Sequence, residues 1–109
     1  MSGDERALVE LAAISDINVP HVILHYLYLP TDEAATSVAT ELRRHGFKTE
    51  KRIGADGVNW LVQACHEDIP SESLITSTRE LMESLVYKSG GEYDGWEAEV
   101  QHPHGTVTS

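Results

Sequence analysis

The chain has 109 residues, which is the length of one domain with one hydrophobic core. Its 18 acidic residues against 8 Lys and Arg give a formal net charge of −10. This charge argues against direct binding to nucleic acid, which depends on clustered cations, and it favours a basic protein partner. The single cysteine allows no intrachain disulfide, and no apolar run approaches the roughly 20 residues that span a bilayer. We therefore expect a cytoplasmic protein that does not enter membranes.

Two elements open the predicted domain. Residues 4–15 form an amphipathic helix, with Asp4 at the positive end of the helix dipole. The run 21–30, HVILHYLYLP, is the longest strand-forming segment and ends at a proline. Both of its faces are largely apolar, which favours an interior strand. Alternation divides its side chains between two faces, Ile23, His25, Leu27 and Leu29 on one and Val22, Leu24, Tyr26 and Tyr28 on the other.

Helices and strands alternate in the rest of the chain. Thr31 is a predicted N-cap, Pro70 and Ser71 begin the last predicted helix, and the Asp56-Gly57 pair is a strong hairpin signal. The remaining predicted elements are a helix over 31–45, a strand over 47–53, a strand over 58–65, a helix over 71–89, a strand over 92–100 and a flexible tail over 101–109.

The predicted elements specify an α+β fold. After the first helix their order is β-α-β-β-α-β, which right-handed crossovers fold into a ferredoxin-like sandwich over 21–100. Its antiparallel four-stranded sheet carries both helices on one face, and the first and third strands are central. The second strand, with Lys48, Lys51 and Arg52, is a basic edge, and the fourth is an acidic edge. Gln63 marks the face without helices. The N-terminal helix covers part of this open face or an edge, and the pattern does not distinguish the two.

The sequence contains no convincing catalytic or metal-binding set. Cys65 and His66 are adjacent, but neighbours on a strand point to opposite faces, so they do not form a nucleophile and base. His102 and His104 lie in the predicted tail, whereas a zinc site needs three or four ligands on a rigid frame. We therefore expect no enzymatic activity, no cofactor and no metal, and we interpret His25 as a core histidine.

Tyr26 and Tyr28 place two aromatic rings on the predicted open face, as in RNA-recognition domains. The basic glycine–aromatic signature of those domains is absent, and the net charge has the opposite sign. The rings instead suit contact with a protein partner, with the N-terminal helix or with a second copy in a homodimer.

The segment 90–97, GGEYDGWE, combines turn and anchor residues. Asp94-Gly95 inside an extended run predicts a bulge or a kink that twists an edge strand away from self-pairing. Tyr93 precedes the bend, and Trp96 follows it as a structural anchor in the core.

This segment, together with HYLYLPTDEAA at 25–35, the Trp60-Leu61-Val62 strand and the short N-terminal helix, resembles the family of the B-type regulator of ribonuclease E activity. The resemblance extends over residues 8–100. It implies a non-enzymatic protein inhibitor that binds the arginine-rich C-terminal scaffold of that endoribonuclease and alters messenger RNA decay. The tail after Val100 is short and not acidic, so the sequence offers no acidic tail for binding.

We expect the partner to bind the open face and the acidic fourth strand. Carboxylates there pair with arginines, and tyrosine rings stack on guanidinium planes. The expected partner-binding residues are Tyr26, Tyr28, Gln63, Tyr93, Asp94, Glu97 and Glu99. The alternatives are a self-associating or small-molecule-binding sensor domain, and an enzyme that depends on Cys65.

Overall fold

The computed structural model describes residues 3–100. Its elements in chain order are α1 (Gly3–Ile14), β1 (His21–Leu29), α2 (Asp32–Arg44), β2 (Lys48–Ile53), β3 (Trp60–Asp68), α3 (Glu72–Lys88) and β4 (Glu92–Ala98). The predicted types and order are confirmed. Strand β3 begins later than predicted because Asp56 holds Val58 and Asn59 in the turn, where its Oδ1 accepts a 2.9 Å hydrogen bond from each backbone N–H. The predicted tail lies outside the described residues.

The four strands form one antiparallel sheet in the order β2-β3-β1-β4. Strands β1 and β3 are therefore central, and β2 and β4 are edges, which confirms the predicted interior position of β1. Among the described residues, no helix is long and apolar enough to cross a membrane.

One hydrophobic core lies between the sheet and helices α2 and α3. Leu27 and Leu29 of β1 and Val62 of β3 contribute to it from the sheet and are fully buried. Burial of each leucine stabilises the fold by about 2 kcal/mol. The helical contribution comes from Ala35, Val38, Ala39, Leu42, Met82 and Val86. Because both helices join this cluster, they cover the same face of the sheet.

Local signals fix where these helices begin and where α2 ends. The Thr31 hydroxyl accepts a hydrogen bond from the Ala34 N–H at 3.1 Å, and Ser71 accepts one from Leu74 at 3.2 Å. Each cap contributes about 1 kcal/mol. Gly46 follows α2 with a φ of 92°, in the left-handed region that glycine adopts readily.

Helix α1 packs on α3 and not on the open side of the sheet. Its buried residues are Asp4 and Leu11. The Asp4 carboxylate contacts Arg79 of α3 and Trp96 of β4. The sequence was compatible with this helix covering either the open face or an edge of the sheet. Its contacts place it in the helical layer beside the β4 edge.

Strand β4 contains the predicted bulge. His25 pairs with Trp96 and Leu27 pairs with Tyr93, so two residues of β4 lie opposite Tyr26 alone. These two are Asp94 and Gly95, and Gly95 has a φ of 100°. The extra residue puts both Tyr93 and Trp96 on the side of β4 that faces the helices.

Candidate protein-binding face

The open face is the side of the sheet on which no helix of the described chain packs. It consists of the side chains that alternate with the core residues of β1 and β3. Its central residues are Val22, Leu24, Tyr26, Tyr28, Leu61, Gln63 and Cys65. Leu61 is buried and the other six are half-buried. The open face therefore presents a mainly apolar and aromatic centre to a potential partner.

Tyr26 and Gln63 are direct neighbours across β1 and β3, and Glu97 reaches Tyr26 from β4. The Tyr26 hydroxyl donates a hydrogen bond to Oε1 of Glu97. This bond, followed by desolvation and the negative charge of the carboxylate, raises the pKa of Tyr26. The Tyr26 hydroxyl also forms a hydrogen bond with Gln63. Tyr26, Gln63 and Glu97, all predicted binding residues, thus form one connected group on the open face.

The acidic side of the open face belongs to β4. Glu92 pairs with Tyr28 and Glu97 pairs with Leu24, and both acids are exposed. The backbone N–H of Glu99 donates to the Val22 carbonyl at 3.1 Å, which extends this row of acids beyond the strand.

Asp94 lies at the bulge and joins the same end of the sheet as Tyr28. Both residues line an open depression of about 330 Å³ together with Glu92 and the turn residues Asp56 and Asn59. Asp94 is thus near the predicted surface, although it has no direct partner in the strand pairing with β1.

Tyr93 does not share the open face. Without a bulge, residues 93, 97 and 99 would point to one side, but the extra residue at Gly95 turns Tyr93 towards the core. Its hydroxyl lies 2.8 Å from Nδ1 of His25. Desolvation raises the pKa of Tyr93 and lowers that of His25 to about 3.

His25 has a hydrogen-bond partner at each ring nitrogen. Its Nε2 lies 3.1 Å from Nε2 of His66, which faces the core side of β3. Burial also lowers the pKa of His66. His25 is fully buried and satisfied, which confirms its interpretation as a core histidine.

Cys65 and His66 point to opposite faces of β3, as predicted. Cys65 pairs with Leu24 on the open face, whereas His66 contacts His25 on the core side. Among residues 3–100, no group of three or more His, Cys, Asp or Glu is placed to hold a metal ion. His102 and His104 lie outside that range.

Strand β2, at the edge of the sheet opposite β4, carries the cations of the predicted basic edge. Lys48 and Arg52 of β2 lie on the open face with Glu50 between them, and all three are exposed. Lys51 points to the other side, where its Nζ contacts Asp32 and lies 5.5 Å from the centre of the Trp60 ring. Strand alternation alone could have separated Lys51 from this pair.

The geometry describes a binding face and offers no assembled set of reacting groups in the described chain. No curated protein matches this sequence. The family model described as regulator of ribonuclease activity B matches residues 4–98, which is nearly the whole chain. The chain belongs to this family of ribonuclease regulators.

Proposed function

We propose that this chain is a non-enzymatic cytoplasmic regulator that binds an arginine-rich segment of a ribonuclease. The proposed target is the C-terminal region of ribonuclease E, and the proposed result is altered RNA decay. The observation that carries this proposal is the row of acids along the aromatic centre of the open face in a chain of this family. The strand order also supports a ferredoxin-like description of the core.

The spacing of the acids suits an extended basic segment. Glu97 and Glu99 are two residues apart on an extended chain, which separates them by about 7 Å. Arginines at alternate positions of an extended partner have the same separation, so each could meet one carboxylate. Charge-assisted pairs between guanidinium and carboxylate are among the stronger hydrogen bonds in proteins.

The aromatic centre adds a second type of contact. Tyr26 and Tyr28 lie next to the acids of β4. The guanidinium group of a partner arginine can therefore stack on a tyrosine ring as well as pair with a carboxylate. Exposed ion pairs alone contribute about 0.2–1 kcal/mol each, so this contact with the rings is needed for useful affinity. We therefore assign Tyr26, Tyr28, Gln63, Asp94, Glu97 and Glu99 to the proposed site and leave Tyr93 out of it.

The test is calorimetric titration of the full chain with the C-terminal half of the host's ribonuclease E. We expect saturable binding that weakens as salt rises from about 0.05 to about 0.3 M, because the Debye length shortens. The double variant Glu97→Lys/Glu99→Lys reverses two charges in the acidic row of the proposed site and is expected to abolish the heat of binding.

The matched control is Glu10→Lys/Glu80→Lys. It makes the same change in net charge at two exposed positions on α1 and α3, in the helical layer. The control should bind like the original chain. Absence of heat with the original chain at both salt concentrations, or equal loss in both double variants, would reject the proposed site.

A further inference from the structure

The β2 and β4 edges of the open face carry opposite charges at matching positions along the strands. Lys48 of β2 pairs with Cys65, Cys65 with Leu24, and Leu24 with Glu97 of β4, so the cation and the acid end the same row of side chains. A second row joins Arg52 to Glu92 through Leu61 and Tyr28. Each row therefore runs from a positive end on β2 to a negative end on β4.

This arrangement complements itself under one symmetry operation. Consider a two-fold axis that runs parallel to the strands, between two open faces. It places β2 of one copy over β4 of the other, and each residue keeps its position along the strand direction. Lys48 then faces Glu97 of the second copy, and Arg52 faces Glu92, each pair occurring twice. A two-fold axis perpendicular to the strands would instead place Lys48 over Arg52, which is repulsive.

We infer that the open face pairs with a second copy of this chain through the two-fold axis along the strands. The inference concerns the free protein and does not depend on the proposed ribonuclease target. The centres of the two faces meet in this arrangement, so that Leu24 and Tyr28 of each copy leave water. Where both proposals hold, the basic segment and the second copy compete for one face.

The size of the face sets the strength of this pairing. Four strands at about 4.8 Å spacing and about seven residues at about 3.3 Å rise cover about 440 Å², so the pair buries about 900 Å² in total. Interfaces of this size belong to weak and transient complexes. We therefore expect reversible dimerisation in the micromolar to millimolar range.

Two repulsive effects also keep the pairing weak. Glu50 lies in the row that ends at the bulge, so the same axis places it over Asp94 of the second copy. In addition, two chains with a formal charge of −10 repel each other at long range. At about 0.15 M salt the Debye length is about 8 Å, which screens the long-range repulsion more than the contacts between facing side chains.

The test is sedimentation of the full chain alone at about 0.15 M salt, a concentration that screens most long-range repulsion. The original chain should show a mass that rises from one copy towards two as its concentration increases. In each of two double variants, β2 of one copy would face β4 of the other copy with the same sign of charge. Lys48→Glu/Arg52→Glu makes both sides acidic, and Glu92→Lys/Glu97→Lys makes both sides basic. Each variant alone should raise the dissociation constant by about tenfold or more.

Mixing the two double variants in equal amounts provides the decisive measurement. In the mixed pair each acidic side faces a basic side at both ends, so dimerisation should return. The Glu10→Lys/Glu80→Lys variant has the same net charge as Glu92→Lys/Glu97→Lys and should dimerise like the original chain. A single-copy mass for the original chain at all concentrations overturns the inference. So does a mixture that stays monomeric although circular dichroism shows both variants folded. Because no ribonuclease is present, neither outcome bears on the proposed target.

Discussion

Asp4 and Trp96 are 92 positions apart in the sequence, yet the indole Nε1 of Trp96 donates a 3.1 Å hydrogen bond to Oδ1 of Asp4. The other carboxylate oxygen lies 2.9 Å from Nη1 of Arg79, which is close enough for an ion pair although it is not aligned as a hydrogen bond. Asp4 is only 8% exposed. One buried carboxylate therefore connects α1 to α3 and to the end of the sheet.

Replacement of Asp4 by Ala is expected to release α1 while the sheet stays folded. The change leaves the Trp96 N–H without its partner and Arg79 without its main counter-ion, which costs about 2 kcal/mol. Apart from Asp4, Leu11 is the only buried residue of α1, so loss of the Asp4 contacts should loosen the helix. Hydrogen exchange of the α1 amides should accelerate in Asp4→Ala and remain unchanged in Glu10→Ala, at an exposed position of the same helix. Slow exchange of α1 in Asp4→Ala would contradict this role.

Tyr26 and Tyr93 should respond differently to removal of the hydroxyl. Tyr93→Phe leaves Nδ1 of the buried His25 without a partner and should lower the free energy of unfolding by about 1–2 kcal/mol. Tyr26→Phe removes exposed hydrogen bonds to Glu97 and Gln63 and should change stability by less than about 0.5 kcal/mol. Urea denaturation of the two variants measures the difference. Equal destabilisation would contradict the placement of the two rings on opposite faces.

Gly91 is expected to tolerate no side chain. A Cβ atom there would lie 2.3 Å from the Tyr28 carbonyl oxygen and 2.6 Å from Cδ1 of Leu29, and the backbone oxygen cannot move without disturbing β1. Gly91→Ala should therefore cost about 3 kcal/mol. Gly46→Ala is the comparison, because its Cβ would meet nothing within 4 Å and only the φ of 92° opposes it, at about 1 kcal/mol. A smaller loss in Gly91→Ala than in Gly46→Ala, measured by thermal denaturation, would argue against the close contact.

Period-two alternation predicted both faces of β1 because nine consecutive residues follow it without interruption. The bulge was also predictable, since Asp94-Gly95 is a strong local signal. The orientation of the Tyr93 ring could not be predicted, because it depends on which residue of β4 has no partner on β1. The position of α1 was equally inaccessible, since it depends on contacts of Asp4 with residues far along the chain.

Acid is expected to destabilise the fold through His25. Its burial, together with the nearby His66, lowers the pKa of His25 from the ordinary 6.5 to about 3. Between these values the unfolded chain binds a proton at this residue and the folded chain does not, so stability decreases as the pH falls below 6.5. The free energy of unfolding should drop by about 2 kcal/mol between pH 7 and pH 5, since each pKa unit corresponds to about 1.4 kcal/mol. Burial of His66 acts in the same direction.

His25→Phe tests this origin of the acid sensitivity. The variant keeps a ring in the core but leaves Tyr93 and His66 without their partner, so it should be less stable than the original chain at pH 7. It cannot take up a proton, however, and its loss of stability between pH 7 and pH 5 should be smaller. Urea denaturation at both pH values measures the loss of unfolding free energy between pH 7 and pH 5 in the variant and in the original chain. His45→Phe makes the same substitution at an exposed position and serves as the control. If His25→Phe retains the full pH dependence of the original chain, another group must cause it.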